Sequence, residues 1–559
     1  MRLPGPTLPA QQFRRLREIT TVLVTYGFPD VVARLKLERT VAFGRRMLPW
    51  RRRAAPSGTA AERFRQALEQ LGPTFIKFGQ ALSLRADLLP AELVAELARL
   101  QDMVPSLPPG VAEAAIEREL GVPLRQVFAE FDSTPVAAAS IAQVHRARLL
   151  DGEEVAVKVR RPDIDAVIER DLAVLGLFAR LTERYLPDAD LYQPALLVAE
   201  FARAIRREQD LAREGRTIER FAKNFAGDAT VCFPRVHWPA TTTAVLTMQY
   251  IDGTRVLDIL AAPEKFDAGV VAARGGEILL KQVLRDGLFH ADPHPANIFV
   301  LPGNVICLLD FGSVGRLDRK LRDGLARMVD AIVREDAERL SAAILTIGRP
   351  LHPLDDMQLR RDLTDLIDGY VGSILRDMSI AGLLQDALAV MRRHRLQFPA
   401  DLMLLARAFV TIEGVCRRLD PTFNMVAQAR PVIAGILRDR FAPSAVASRV
   451  SETGREMVEA LQALPRDLME VVGKARDDRF QIQFVHRNLE HLVREMDRAS
   501  NRLSFAVVIA ALIVGSSFVL QRAVGPQLFG LPAIGLVGFV AAAVLGLWLA
   551  IGILRSGKL

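Results

Sequence analysis

The sequence predicts an α+β fold that is mostly helical. Its strands gather in one stretch of the first half, and its chain ends in an apolar helical hairpin. Three patterns predict this. Val136–Leu150 and Val155–Arg160 read as strands around a turn at Asp151–Gly152. Most of the remainder carries apolar residues three or four apart, as amphipathic helices require. Near the C-terminus, Leu503–Leu520 (18 residues) and Leu531–Leu554 (24 residues) contain no charge. Composition agrees with a packed chain: 559 residues, 50% hydrophobic and 25% charged, can bury a substantial core. Disordered, collagenous and low-complexity classes are excluded.

The elements follow in order. Residues 1–60 hold 12 Arg/Lys and 3 Asp/Glu, a net of +9 against +8 for the whole chain. Such an end can face acidic lipid or nucleic acid, or stand as a solvated tail. Trp50 with Arg51, Arg52 and Arg53 can rest on an anionic surface or form a plain linker. Prolines in the opening Met-Arg-Leu-Pro-Gly-Pro occupy the place of an h-region, so no signal peptide is expected. Residues 61–120 read as helices. Pro73 suits a first turn after Gly72, and Phe75, Ile76, Phe78 and Leu82 keep helical spacing. Pro90 opens another helix, with Leu93, Leu97 and Leu100, before a proline-rich linker at Pro105–Gly110. After the strands, Asp163–Glu219 is helical with breaks at Pro187 and Pro194. Val245–Ile251 is a strand. From Gly269 the chain is helical apart from a strand at Val305–Leu309.

The two C-terminal apolar runs are long enough to cross about 30 Å of hydrocarbon, the first only marginally. Gly525 and Pro526 suit a tight connector. Arg494, Arg498 and Arg502 before the hairpin and Arg555 and Lys558 after it outweigh Arg522 between, which places both ends in the cytoplasm. A helical hairpin buried in a soluble core is the alternative. Ala511 with Gly515, and Ala542 with Gly546, have small-xxx-small spacing for close helix contact, within the hairpin or in a homodimer. Cys232, Cys307 and Cys416 are too few and scattered for a disulfide framework or a zinc site, and a reducing compartment is their natural home.

Three segments carry chemistry. Lys158 ends Glu154-Val-Ala-Val-Lys158 on a strand. Asp292 and Asn297 lie in His290-Ala-Asp292-Pro-His-Pro-Ala-Asn297. Asp310 opens Asp310-Phe-Gly312 after an apolar strand. Phosphoryl transfer needs charge neutralisation and positioning more than covalent chemistry. A strand lysine can hold α/β-phosphates. Asp292 and Asn297, five residues apart, can present one oxygen to a nucleophile and one to Mg²⁺. Asp310 can bridge metal and phosphates, and Mg²⁺ prefers such hard oxygen ligands. In this order and spacing the set looks like the protein-kinase signature of strand lysine, H-R-D-x-x-x-x-N and D-F-G, and so implies a bilobal fold that binds ATP. Two departures are evident. The place of the glycine-rich loop is taken by Ala137-Ala138-Ala139-Ser140, whose Cβ atoms keep it stiffer than glycine would. No Ala-Pro-Glu follows Asp310, so a peptide-binding activation segment is not expected.

The chain resembles the UbiB/AarF atypical protein-kinase-like family, tied to ubiquinone biosynthesis. Lys77-Phe-Gly79-Gln80 matches its K-x-G-Q motif. Ala138-Ala-Ser140-Ile-Ala-Gln143-Val-His145 matches its alanine-rich loop, and Glu208-Gln-Asp210-Leu-Ala-Arg-Glu214 its E-x-D-x-x-x-E helix. The resemblance covers about residues 10–430. It implies that Lys158 contacts the α/β-phosphates and pairs with Glu208, and that Lys77 enters the site and pairs with Glu214. It further implies that Asp292 stands at the catalytic-base position and that Asn297 and Asp310 bind Mg²⁺. At the hinge, backbone groups of Met248, Gln249 and Tyr250 would meet adenine, although Met248 also suits a core. His145, His290 and His294 read as structural.

The expected division is a basic region at 1–60, a helical K-x-G-Q extension at 61–120, a kinase-like N-lobe at 121–255 and a C-lobe at 256–430. A helical juxtamembrane region at 431–500 and the transmembrane hairpin at 503–554 follow. The expected function is a Mg²⁺-dependent, membrane-anchored ATPase supporting ubiquinone biosynthesis at a bacterial-type inner membrane, its kinase-like part in the cytoplasm. Membrane lipids, polyprenyl quinone precursors and quinone-biosynthesis proteins are the expected partners. A protein, small-molecule or lipid kinase and a nucleotide-binding pseudokinase scaffold are the alternatives. Nucleic acid is not expected, since no recognition module accompanies the basic residues. No Rossmann glycine pattern, haem ligand pair or di-iron motif supports a hydroxylase.

Overall fold

The computed structural model describes residues 9–37, 57–85, 89–100, 105–186, 193–350, 353–371, 380–425, 427–428, 489–521, 526–528 and 531–555. Trp50, Arg51–Arg53, Arg522, Gly525, Lys558 and most of the expected juxtamembrane region lie outside them. The helices of the first part include α1 (Ala10–Thr25), α2 (Ala60–Leu71), α3 (Pro73–Ser83) and α4 (Val111–Leu120), with shorter ones at Pro29–Arg34 and, after Pro90 as expected, at Ala91–Leu97. Four strands follow: β1 (Phe128–Phe131), β2 (Ala137–Ala138), β3 (Ala142–Leu149) and β4 (Glu154–Arg160). Then come α5 (Ile164–Tyr185), α6 (Pro194–Glu208), α7 (Leu211–Asn224), β5 (Val231–Cys232) and β6 (Val245–Gln249).

Strands β1, β3, β4 and β6 make an antiparallel sheet in that order, with β2 on β3. Strand β4 shows how period-two alternation places a charge. Val155, Val157 and Val159 point to one face and are buried with Ile116, Phe128 and Val245. Ala156 and Lys158 point to the other, where Ala156 joins the core that holds Leu211, Ile218 and Phe221 of α7. The strand expected at Val136–Leu150 is interrupted at the alanine-rich loop, where Ala139 donates its N–H to the Ala142 carbonyl in a tight turn.

A separate helical core joins the N-terminal helices to α5 and α6. Leu16 and Ile19 of α1, Leu68 of α2, Phe75 of α3, Leu172 of α5 and Ile205 of α6 are all buried in it. The basic N-terminal region thus contributes a packed helix. Its Arg15 is itself buried, with Nε donating to Asp171 at 2.7 Å and Nη2 to the Leu71 carbonyl at 2.7 Å. The break expected at Pro187 lies outside the described residues. Besides the new helix that starts at Pro194, the helical stretch expected at Asp163–Glu219 breaks at Gln209–Asp210. There the Asp210 carboxylate accepts the Arg213 N–H at 3.0 Å and starts α7.

Beyond β7 (Thr254–Arg255) and α8 (Ala268–Leu280), a π-helical turn at Lys281–Asp286 leads into β8 (Leu288–His290). Gly287 ends that turn at φ 63, with the Leu317 carbonyl 2.8 Å from where a Cβ would sit. Strand β9 (Ile298–Leu301) and β10 (Val305–Leu308) pair antiparallel, flanked by β7 and by a parallel β5; β11 (Val314–Arg316) pairs with β8. These short strands are more numerous than the one expected after Gly269. Phe221, Phe289 and Phe311 are fully buried where α7 meets this sheet, and truncating one to Ala would cost about 3–5 kcal/mol. Four helices α9–α12 (Arg319–Val333, Ala337–Ile347, Asp356–Val371 and Ile380–Arg393) and α13 (Ala400–Leu419) follow.

Among its described residues the C-terminal unit holds α14 (Leu489–Gln521), α15 (Ala533–Arg555) and, between them, a short antiparallel pair of Gln527–Leu528 with Leu531–Pro532. Ala533–Ala550 is long and apolar enough to cross a membrane, whereas the apolar part of α14, Leu503–Val519, is shorter. Many large apolar side chains on both are exposed, among them Val507, Phe518, Val537 and Leu547. The close contact uses Gly538, where a Cβ would lie 2.2 Å from the Ser516 hydroxyl, and the buried Ala542. Gly515 and Gly546 of the small-xxx-small pairs face nothing within 4 Å.

Candidate active site

Lys158 is the centre of the site. Its Nζ donates to Glu214 Oε1 at 2.8 Å and Oε2 at 2.9 Å, and to Asp310 Oδ1 at 3.0 Å. Glu214 stands in the first turn of α7 and is buried, and α7 packs under β6 beside β4. Asp310 follows β10 with φ 57, a left-handed backbone that Asp tolerates better than most residues. Its Oδ1 also accepts the Gly312 N–H at 3.3 Å. Burial would drag the Lys158 ammonium down, but Asp310 and Glu214 outweigh it and hold it above the ordinary lysine value. Lys158 holds the Asp310 carboxyl below the usual carboxylate range. Burial pushes the Glu214 carboxyl up to about 7, against the pull of Lys158.

Lys77, on α3, donates to Glu208 Oε1 at 2.7 Å. The pairing implied by the family resemblance is therefore exchanged: Lys158 takes Glu214, and Lys77 takes Glu208. The break at Gln209–Asp210 is the cause. It puts the two glutamates on different helices, Glu208 at the end of α6 beside α3 and Glu214 in the turn of α7 beside β4. The packing also explains the K-x-G-Q spacing. A Cβ at Gly79 would lie 2.3 Å from Leu100 and 2.7 Å from Leu68, so only glycine lets α3 sit this close to its neighbours. Gln80 Nε2 donates to the Leu100 carbonyl at 3.1 Å.

On the opposite side of the cleft, Asp292 Oδ1 accepts from Arg407 Nη2 of α13 at 2.9 Å. His290 fixes the start of this loop. Its Nδ1 accepts the Asp292 N–H at 3.2 Å and its Nε2 lies 3.1 Å from the Leu309 carbonyl, so the proton sits on Nε2. Burial lowers its pKa and keeps it neutral. Asn297 is brought next to Asp310 by the backbone, since Leu309 donates its N–H to the Asn297 carbonyl at 2.9 Å. Among the described residues no group of three or more His, Cys, Asp or Glu side chains could hold a metal. Asn297 and Asp310 offer two hard oxygen donors, a set suited to Mg²⁺ that arrives with phosphate oxygens and water.

Ala137 and Ala138 pair with Val144 and Gln143 of β3, Ala139 is exposed, and Ser140 is buried. At the hinge Met248 is core. The N–H groups of Gln249 and Tyr250 donate to the carbonyls of Arg235 at 2.8 Å and Glu154 at 3.0 Å. Any backbone contact from these two residues to adenine thus falls to their carbonyls. His145 lies in a buried chain, its Nε2 2.7 Å from Gln143 Nε2 and its Nδ1 2.8 Å from the Asp132 carbonyl.

Residues 99–344 match the ABC1 atypical kinase-like domain, and a protein from Pseudomonas putida (strain GB-1) named "Probable protein kinase UbiB" is 36% identical over 82% of this chain and 86% of its own. The chain belongs to the UbiB/ABC1 atypical kinase family. Residues 363–424 match the UbiB helical domain, and residues 487–555 the ABC1/UbiB kinase-like C-terminal domain. A protein from Pseudomonas aeruginosa (strain UCBPP-PA14) of the same name is 36% identical over 82% of this chain and 87% of its own. An uncharacterized protein from the hydrogenase 1 5' region of Clostridium pasteurianum is 32% identical over 98% and 99%. A solved Mycobacterium tuberculosis protein, in complex with erythromycin, aligns at a TM-score of 0.45 and 23% identity over 61% of this chain and 87% of that one. As a UbiB/ABC1 chain it has an atypical kinase-like α+β fold. In it, the residues that sequence reasoning missed are Arg407 and the helix start at Asp210. Only Asp210 left a local signal, since it can cap a helix and is followed by an amphipathic run.

Proposed function

We propose that this chain is a membrane-anchored, Mg²⁺-dependent ATPase of the UbiB/ABC1 family that supports ubiquinone biosynthesis by acting on polyprenyl precursors or organising the enzymes that modify them. The observation that carries the ATP half is Lys158, held between Glu214 and Asp310 in the manner of a phosphate-binding lysine. Glu214 orients the ammonium, and its burial fixes the direction in which Lys158 points. Asn297 and Asp310 would hold Mg²⁺, which when bound neutralises developing phosphate charge. Asp292 accepts or orients a proton on the attacking oxygen, and Arg407 sets the direction of its carboxylate. Lys77, paired with Glu208, brings a second cation to the mouth of the cleft, where a protein substrate would otherwise dock.

The membrane half of the proposal is supported by Ala533–Ala550 and by the exposed apolar surface of α14 and α15. The cationic flanks of the hairpin support a cytoplasmic kinase-like part. Gly515 and Gly546, with nothing against them, are where a second copy would approach to form a homodimer. The deciding experiment follows the γ-phosphate. Full-length protein is incubated with γ-labelled ATP, Mg²⁺ and anionic liposomes holding a polyprenyl phenol. Phosphate released to solution, stimulated by the liposomes, is the expected result. Label on lipid or protein would replace this reading with a kinase, and bound nucleotide without turnover would replace it with a scaffold.

A further inference from the structure

The alanine-rich loop is held from outside by a side chain that the chemistry above does not use. Arg161 follows Lys158 by three residues. Its Nε donates to the Ala139 carbonyl at 3.0 Å, and its Nη2 to the Pro105 carbonyl at 2.8 Å. Its backbone N–H donates to the Ile141 carbonyl at 2.8 Å. Among the described residues it has no carboxylate partner, and burial holds its guanidinium below the usual arginine value. Three carbonyls therefore converge on one residue, two from the loop and one from the linker that leaves the K-x-G-Q extension. A second contact joins the same two segments. Leu107 donates its N–H at 3.0 Å to Oε1 of the buried Gln143, just after the loop.

Ala139 and Pro105 are both exposed, so each carbonyl could be solvated by water instead. A planar guanidinium bridges both at once, as a lysine ammonium on a flexible stem would not. Loops of this kind in kinases gain mobility from glycine. This one has alanines and an external clamp, and both act to order it. We propose that Arg161 is a positioning residue that fixes the alanine-rich loop over the nucleotide and ties it to the linker of the helical extension, so that loop and linker loosen together. The nucleotide part rests on the ATP-binding reading above, whereas the clamp itself does not.

The test uses full-length protein and two readouts. Amide hydrogen exchange without nucleotide is compared for the natural chain, Arg161→Gln and Arg161→Lys. Binding of Mg-ATP is measured on the same proteins, together with Ala138→Gly and the double variant Ala138→Gly/Arg161→Gln. Arg161→Gln is expected to speed exchange about tenfold in residues 136–142 and 105–111 together, with the core amides of β4 unchanged. It should raise the Mg-ATP Kd by about five- to tenfold, because the loop must then be ordered on binding. Arg161→Lys should fall between, and the double variant should depart from the product of the single effects. Faster exchange in one segment alone, or in neither, overturns the clamp. Faster exchange in both with Kd changed less than about twofold overturns the positioning role. A natural chain that binds no nucleotide overturns the ATP reading, and the exchange data still decide the clamp.

Discussion

Two lysine–glutamate pairs face the same cleft, and they are built differently. Lys158–Glu214 joins a sheet strand to the first turn of a helix in the main core. Its glutamate side chain is 4% exposed, and it shares its lysine with Asp310. Lys77–Glu208 joins two helices of the extension layer, at 19% and 31% exposure. Breaking a buried pair leaves a charge without solvent, whereas breaking a half-exposed one lets water take over. The first pair is thus part of the frame, and the second is the more open to water.

The largest expected effect falls on Asp310, the carboxylate that Lys158 of the first pair also holds. Asp310→Asn should cut Mg-ATP turnover by about two orders of magnitude or more, read as phosphate release. Unchanged hydrolysis would dissociate Asp310 from the metal. Glu214→Ala should lower stability by about 3 kcal/mol, read by denaturant midpoint, because Lys158 keeps only Asp310. A third pair serves as a control outside the cleft: Lys281 Nζ lies 2.8 Å from Asp228 Oδ2. Burial pushes the Asp228 carboxyl up, but Lys281 and Thr230 outweigh it and hold it at about 2, from an ordinary 3.8. Its contribution is therefore complete above 3.8 and lost as pH falls towards 2, a change of about 2 kcal/mol that Asp228→Asn should remove from the acid limb of the stability curve. Lys77→Met should cost less than about 1 kcal/mol of stability while changing turnover or substrate choice. A stability loss as large as that of Glu214→Ala would erase the distinction between the pairs.

The parts of the site written in short stretches were legible. Lys158, Asp292, Asn297 and Asp310 each sit in a local motif whose spacing carries the chemistry. The exchange of glutamates was not legible. It depends on a helix break at Gln209–Asp210 that neither proline nor glycine announces. Arg407 was equally hidden, since it meets Asp292 across 115 positions and lies on an ordinary amphipathic helix. The packed helix at Ala10–Thr25 was obscured by its charge: Arg15 contributes to the basic count but is buried against Asp171. In the hairpin, both apolar runs were visible from the absence of charge, yet the contact fell on Gly538 and Ser516, because facing residues depend on helix rotation that spacing alone leaves free.

The π-helical turn at Lys281–Asp286 carries no catalytic side chain, and it still sets the phase of the chain that follows. A π-turn holds one residue more than an α-turn over the same span. Removing one residue there would let α8 continue as a regular helix over the same span, so Leu288–His290 would keep its register with Val314–Arg316. The same deletion in the regular part of α8 has no such slack to draw on; it would rotate everything after it by about 100° and withdraw it by about 1.5 Å, turning Asp292 away. This segment therefore behaves as a store of slack. The loss of a single residue should be absorbed within it far more readily than in the helix before it.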